Sequence, residues 1–382
     1  MFQVERYIIA LIELGIKNET VINIIKNCSS ADIAGLFEGI TPSVFLNIMD
    51  LLVCIEYFKQ KEEVSEALKN ADDILEKNKE HNIKTAIFSQ INYPANLYNT
   101  TNPPAVLYYK GADPSNDFDK AFACVGTRKP TSFAFNAINY LVPQWVNEGI
   151  TIISGLASGV DRLSHIACLE AGGKTIAVLA QGLDKPVYPK ENRNLAERIL
   201  NEGGILISQY PVGTRAEKYR FIDRNRILVG LAKATIVFEC EVKSGSMHSA
   251  DFSKELGIPV FTPDPGISTS TDQSGNRYLL ENNLASSIPD GTRFEVPIIK
   301  TGYEVVCSKM SNNTIKNMYL KSLLYNSEDL NILKKTFSTL NQDSTQTTLS
   351  YAFLGEYISD GILKINDVIK ILVDALSQRD LE

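Results

Sequence analysis

Histidine is scarce in this chain, with three in 382 residues (His81, His165 and His248), and its six cysteines never fall as CxxC or at metal-ligand spacing. A His- or Cys-based metal cluster is argued against, and neither metal nor cofactor is expected. Scattered cysteines, several inside apolar runs, read as reduced thiols of a cytosolic protein. Long apolar runs are missing too. The stretch Tyr7 to Ile16 is interrupted by Glu13 and has neither a basic lead nor a small-residue cleavage site. No run reaches the roughly 20 residues that span a bilayer, so the expectation is a soluble, cytoplasmic protein without membrane contact. An excess of positive charge is also absent: 38 basic against 45 acidic residues give a net charge of -7. As a whole-chain sum this argues against a nucleic-acid binder, and leaves only local patches to carry one.

What is present is a repeated β-α alternation. Phe122 to Val125 runs into Gly126-Thr127-Arg128, Ile150 to Ser154 into Gly155-Leu156-Ala157-Ser158-Gly159, and Thr175 to Leu179 into Ala180-Gln181-Gly182. Ile205 to Ser208 and Thr235 to Glu239 add two more strands, and helical segments such as Asn136 to Val146 and Arg162 to Ala171 lie between. Small polar loops thereby fall at the carboxyl ends of parallel strands, where open α/β sheets hold phosphate-bearing ligands. The fold class is α/β, a doubly wound parallel sheet. Strands at Ile83 to Phe88 and Ala105 to Tyr109 extend it.

A chain of this length, 44% hydrophobic, buries a full α/β core and carries smaller domains beside it. Three units are expected: a small helical N-terminal domain at 1–65, the sheet domain at 66–297, and a mainly helical C-terminal domain at 298–382, with helices near 315–324 and 366–377. In the first, Ile8, Ile9, Leu11 and Ile12 share one helical face and Val21, Ile22, Ile24 and Ile25 the next.

Charge concentrates between Thr214 and Arg226. Arg215, Lys218, Arg220, Arg224 and Arg226 stand against Glu217 and Asp223, a local +3, with Tyr219 and Phe221 interleaved. Cations that track a phosphate backbone and rings that stack bases are the elements of single-strand recognition. The competing reading makes Phe221 core and the arginines a solvated face. Three loops add to the first: Gly126-Thr127-Arg128, where the next helix start favours an anion; Ser154 to Asp161, where Asp161 either caps a helix or meets a ligand; and Lys243-Ser244-Gly245-Ser246.

From about Ala71 to Asp264 the chain resembles the DprA/Smf family of DNA-processing proteins. Pro103-Pro104-Ala105-Val106-Leu107-Tyr108, Val125-Gly126-Thr127-Arg128, Ser154-Gly155-Leu156-Ala157 and Tyr188-Pro189-Lys190-Glu191-Asn192 carry the likeness, with Arg224-Asn225-Arg226-Ile227 and Lys243-Ser244-Gly245-Ser246. The resemblance implies an extended Rossmann-like fold that binds single-stranded DNA without base specificity, forms a homodimer, and loads the RecA recombinase during natural transformation, without catalysis. Its DNA-binding residues would be Gly126, Thr127, Arg128, Lys218, Phe221, Arg224 and Asn225. Gly155, Arg226 and Lys243 to Ser246 join them as candidates from the loops and the charged stretch. The chain departs from the family where Ser158 stands in place of an arginine and Gln209 in place of a glutamate.

Two other functions stay open. Phosphoribohydrolases of the same superfamily carry a Pro-Gly-Gly-x-Gly-Thr loop, which this chain lacks, and Asp161, Asp184, Glu239 and Glu241 are not paired by spacing with a nucleophile or base. A nucleotide-ligand sensor would use the same cleft and report through the terminal helices.

Overall fold

The computed structural model describes residues 2–288, apart from 44, 46–48, 115–119 and 267. The expected C-terminal domain at 298–382 lies outside the described residues. Five helices come first: α1 (Phe2–Glu13), α2 (Asn18–Asn27), α3 (Ser30–Phe37), α4 (Met49–Phe58) and α5 (Lys61–Glu80). A capping box starts α3, where Ser29 Oγ accepts the Asp32 N–H at 3.2 Å and Asp32 accepts the Ser29 N–H at 2.9 Å. The sequence gives α1 a single apolar face, but Tyr7 through Leu11 are all buried, so it is covered nearly all round. In α5, Val64, Ala67, Ala71 and Ile74 form one buried stripe. This helix crosses the 65/66 position without a break, so the helical unit runs on to Glu80.

Among the described residues nine strands then form one sheet in the order β1-β2-β6-β5-β4-β3-β7-β8-β9. They are β1 (Lys84–Ile87), β2 (Val106–Gly111), β3 (Ala121–Val125), β4 (Thr151–Ser154), β5 (Thr175–Leu179), β6 (Ile205–Ser208), β7 (Ala234–Val237), β8 (Val260–Pro263) and β9 (Ser286–Ile288). Neighbours from β6 to β9 are parallel, while β1 and β2 join antiparallel at one edge. Every residue of β3 to β8 is buried. This is why these strands are continuous apolar runs: both faces are covered.

The covering helices are α6 (Ser132–Asn147), α7 (Val160–Glu170) and α8 (Arg193–Asn201), which pack in sequence, and α9 (Lys218–Gly230) against α10 (Gly245–Glu255). From β3 the chain steps outward through β4 and β5 to β6, then returns to place β7 on the other side of β3. With the right-handed crossovers general to parallel sheets, the two helix groups fall on opposite faces, and the strand order reverses between β3 and β7, where such sheets form their crevice. The last helix, α11 (Ser274–Glu281), lies beside β8.

Candidate nucleic-acid interface

The loops leaving β3 and β4 interlock. The Thr127 N–H donates to the Glu239 carbonyl at 2.7 Å, and the Thr127 carbonyl accepts the Val160 N–H at 3.0 Å. A Cβ on Gly126 would stand 2.6 Å from Val160 Cγ2 and 2.9 Å from the Glu239 carbonyl oxygen, so only glycine lets α7 approach this closely. Gly159, at φ +77°, would press a Cβ to 2.3 Å from the Thr127 carbonyl oxygen.

The start of α6, which the sequence suggested for a phosphate, holds the protein's own carboxylate. Glu239 lies two residues past the end of β7 and is fully buried. It accepts the Thr131 N–H at 2.7 Å, the Thr131 hydroxyl at 2.6 Å and the Gln273 amide at 2.9 Å. Thr131 in turn caps the helix by accepting the Phe133 N–H at 3.2 Å. A phosphate at this point would face a buried acid, so the expectation of an anion seated here is corrected.

A second correction concerns Gly155, Asp161 and Arg224. Arg224 is 4% exposed and donates to the Val178 carbonyl at 2.8 Å. A Cβ on Gly155 would fall 1.5 Å from its Nη1, so that glycine is the seat of the guanidinium rather than a ligand contact. Asp161, instead of capping its own helix, accepts the Gly155 and Ala157 N–H groups at 3.2 and 3.3 Å. Burial raises the Asp161 carboxyl, with the Arg224 charge pulling it back. Asn192, also buried, donates to the Leu156 and Ala157 carbonyls and holds Leu156 at φ +57°. Together these groups make the floor of the site.

Above that floor lies an exposed cluster of cations and rings. Lys218, Phe221 and Asn225 follow one face of α9 at i, i+3 and i+7. The Arg128 guanidinium lies 5.7 Å from the centroid of the Phe221 ring, and Tyr188 meets the same ring edge-on at 6.3 Å. Arg128 and Lys218 are exposed, Phe221 and Asn225 are half-buried, and Tyr188 is 59% exposed. Phe221 is thus not a core residue. Tyr188 was quoted in the sequence only as part of a motif; its place opposite Phe221 comes from the fold.

The other cations of the +3 stretch disperse. Arg220 pairs with Glu217 at 3.3 Å and stacks on Tyr210 and Tyr219, each at 5.2 Å. Arg226 turns toward α10, 3.4 Å from Glu255 and 4.5 Å from the Phe252 ring centroid. Of the five, Arg215, Lys218 and Arg224 form no ion pair among the described residues, and Arg224 bonds the Val178 carbonyl instead. The loop Lys243-Ser244-Gly245-Ser246 starts α10, with Ser244 at the cap position, Ser246 buried and Lys243 exposed. No hydrogen bond, ion pair or ring contact among the described residues joins this loop to Arg128 or Phe221.

A doubly wound sheet with two added antiparallel strands defines a Rossmann-like α/β protein. Residues 84–294 match the family described as DNA recombination-mediator protein A, and the chain belongs to that family. It is 35% identical over 246 residues to protein Smf of Synechocystis, 37% over 201 residues to DNA processing protein DprA of Bacillus subtilis, and 38% over 189 residues to that of Streptococcus pneumoniae. These matches take in 62, 53 and 50% of this chain, and the chain spans 60, 67 and 65% of the three relatives. The X-ray structure of the Streptococcus pneumoniae protein superposes with a TM-score of 0.59 at 27% identity, over 73% of this chain and 93% of that one.

Proposed function

We propose that the protein binds single-stranded DNA, without sequence specificity, across the face formed by Arg128, Lys218, Phe221 and Asn225. The observation that carries this reading is the half-buried ring of Phe221, which meets both the Arg128 guanidinium and the exposed Tyr188. A base stacks on such a ring whatever its identity, and Arg128 and Lys218, which form no ion pair among the described residues, attract the backbone. Arg224, Gly155 and Asp161 support the face from beneath. Membership in a recombination-mediator family extends the proposal to loading of the RecA recombinase, to action as a homodimer in the cytoplasm, and to a role without catalysis. No helix among the described residues is long and apolar enough to cross a membrane.

The nucleotide-sensor and phosphoribohydrolase readings both need an anion in the β3/β7 crevice, and the buried Glu239 carboxylate disfavours one there. Fluorescence anisotropy with labelled single strands of several sequences, in competition with duplex DNA and a nucleotide panel, separates the readings. Sequence-independent binding that weakens with salt is expected. Binding of a mononucleotide alone would overturn the reading. Light scattering at micromolar concentration checks the dimer, and faster RecA filament growth on single strands checks the loading role.

A further inference from the structure

We propose that single-stranded DNA continues past Arg128 into the neighbouring groove, where Phe135 provides a second stacking surface. This rests on the reading above and extends it. The groove has a volume of about 500 Å³ and is lined by Arg128, Pro130, Ser132, Phe135, Arg162 and Leu163, among others. That size lies inside the roughly 300–1,000 Å³ typical of small-molecule sites. Arg128 belongs to both surfaces, since it lies against the Phe221 ring and also walls the groove.

Phe135 is 50% exposed in the first turn of α6, off the buried stripe of Ala134, Ile138, Leu141, Val142 and Trp145. Among the described residues it makes no ring contact with another aromatic side chain, so half of a large apolar surface is open to the groove. Arg162 is held in place on the groove wall, donating to the Asn192 side chain at 2.8 Å and the Glu191 carbonyl at 3.4 Å. Two arginines and no acidic side chain line the groove among the described residues; Thr131 also lines it, but the Glu239 carboxylate it holds is fully buried, so the open surface suits a polyanion and disfavours a basic protein partner. Rings at Tyr188, Phe221 and Phe135 thus flank the cations Arg128 and Arg162, the combination of stacking platforms and a cationic groove that a single strand uses.

The test uses oligothymidylates of about 5 and about 20 nucleotides, on either side of the roughly 4–16 nucleotides of common single-strand sites. Phe135→Ala should weaken the long strand roughly 5- to 100-fold while leaving the short strand, and the melting temperature, unchanged. Phe135→Trp should restore long-strand affinity. An unchanged long-strand affinity in Phe135→Ala overturns the proposal, and if that variant also lost self-association by light scattering, the ring would belong to an interface between copies of this chain. If the wild-type protein bound neither strand, the Arg128–Phe221 reading itself would fall and take this extension with it. Wild-type binding with an inert Phe135 removes the extension alone.

Discussion

Arg224 and Lys218 are both cations of α9, yet their positions give them opposite work. Arg224 is enclosed, with Gly155 beneath it and the Val178 carbonyl as its partner. Replacing Gly155 by alanine puts a methyl group where Nη1 now sits, so the guanidinium must leave a buried site without an equivalent partner. Gly155→Ala is expected to cost about 1–3 kcal/mol, the range for a buried polar group that loses its partner, measured by denaturant unfolding. Combining it with Arg224→Ala should cost clearly less than the two changes summed, because both act on one contact. Additive costs would show that the glycine does not serve the arginine. Phe221 is the opposite case. As a half-buried ring at the surface, its truncation should remove about 1–3 kcal/mol of single-strand binding and leave the salt slope as it was. A large fall in melting temperature in Phe221→Ala would return the ring to the core.

At the scale of the element, α7 carries a titration that the fold imposes. His165 is fully buried, and its Nδ1 lies 2.6 Å from Thr175 Oγ1. That hydroxyl donates to the Ile152 carbonyl at 2.8 Å, so it accepts from the ring, and Nδ1 carries the proton. Burial, together with the Arg224 charge, drives the imidazole from its ordinary 6.5 down to about 3. The unfolded chain takes up a proton near pH 6.5 that the folded chain refuses, so stability is full above that value and falls as pH drops toward 3. Between pH 7.5 and 5 the loss from this group is about 2 kcal/mol. The raised Asp161 works in the other direction at lower pH. His165→Gln should flatten the wild-type decline between pH 7.5 and 5, and an equal decline in both proteins would show the histidine to be uninvolved. The strands of the sheet were legible because burial on two faces leaves an unbroken apolar run. Arg224 was legible in principle as well, since it stands on the stripe of Ile227, Leu228 and Leu231, all buried, where a cation must be enclosed. Glu239 was not, because nothing in one strand's sequence says that its terminal carboxylate will cap a helix of another. Tyr188, on a loop, and Phe135, in the first turn of α6, meet their surfaces only through packing between distant segments, and local spacing carries no trace of that.

For the molecule as a whole, a net charge of -7 opposes any polyanion, so attraction has to be local. The +3 stretch does not provide it as a block, because Arg220, Arg224 and Arg226 are engaged with Glu217, Val178 and Glu255. What remains near Phe221 is Arg128, contributed by the β3 loop, and Lys218, contributed by the first turn of α9. Two elements far apart in the sequence thus supply one charge each to a single face. Each phosphate neutralised on a single strand contributes about 0.7 to the slope of log affinity against log salt. Arg128→Ala and Lys218→Ala are therefore expected to lower that slope by about 0.7 each, and the double variant by about 1.4. Arg226→Ala, which removes a cation facing α10, should leave the slope unchanged. Measuring the four variants and the wild type with one labelled oligothymidylate across a salt series decides the matter. An equal loss of slope in the Arg226 variant would mean that binding follows the charge of the whole stretch and not the face around Phe221.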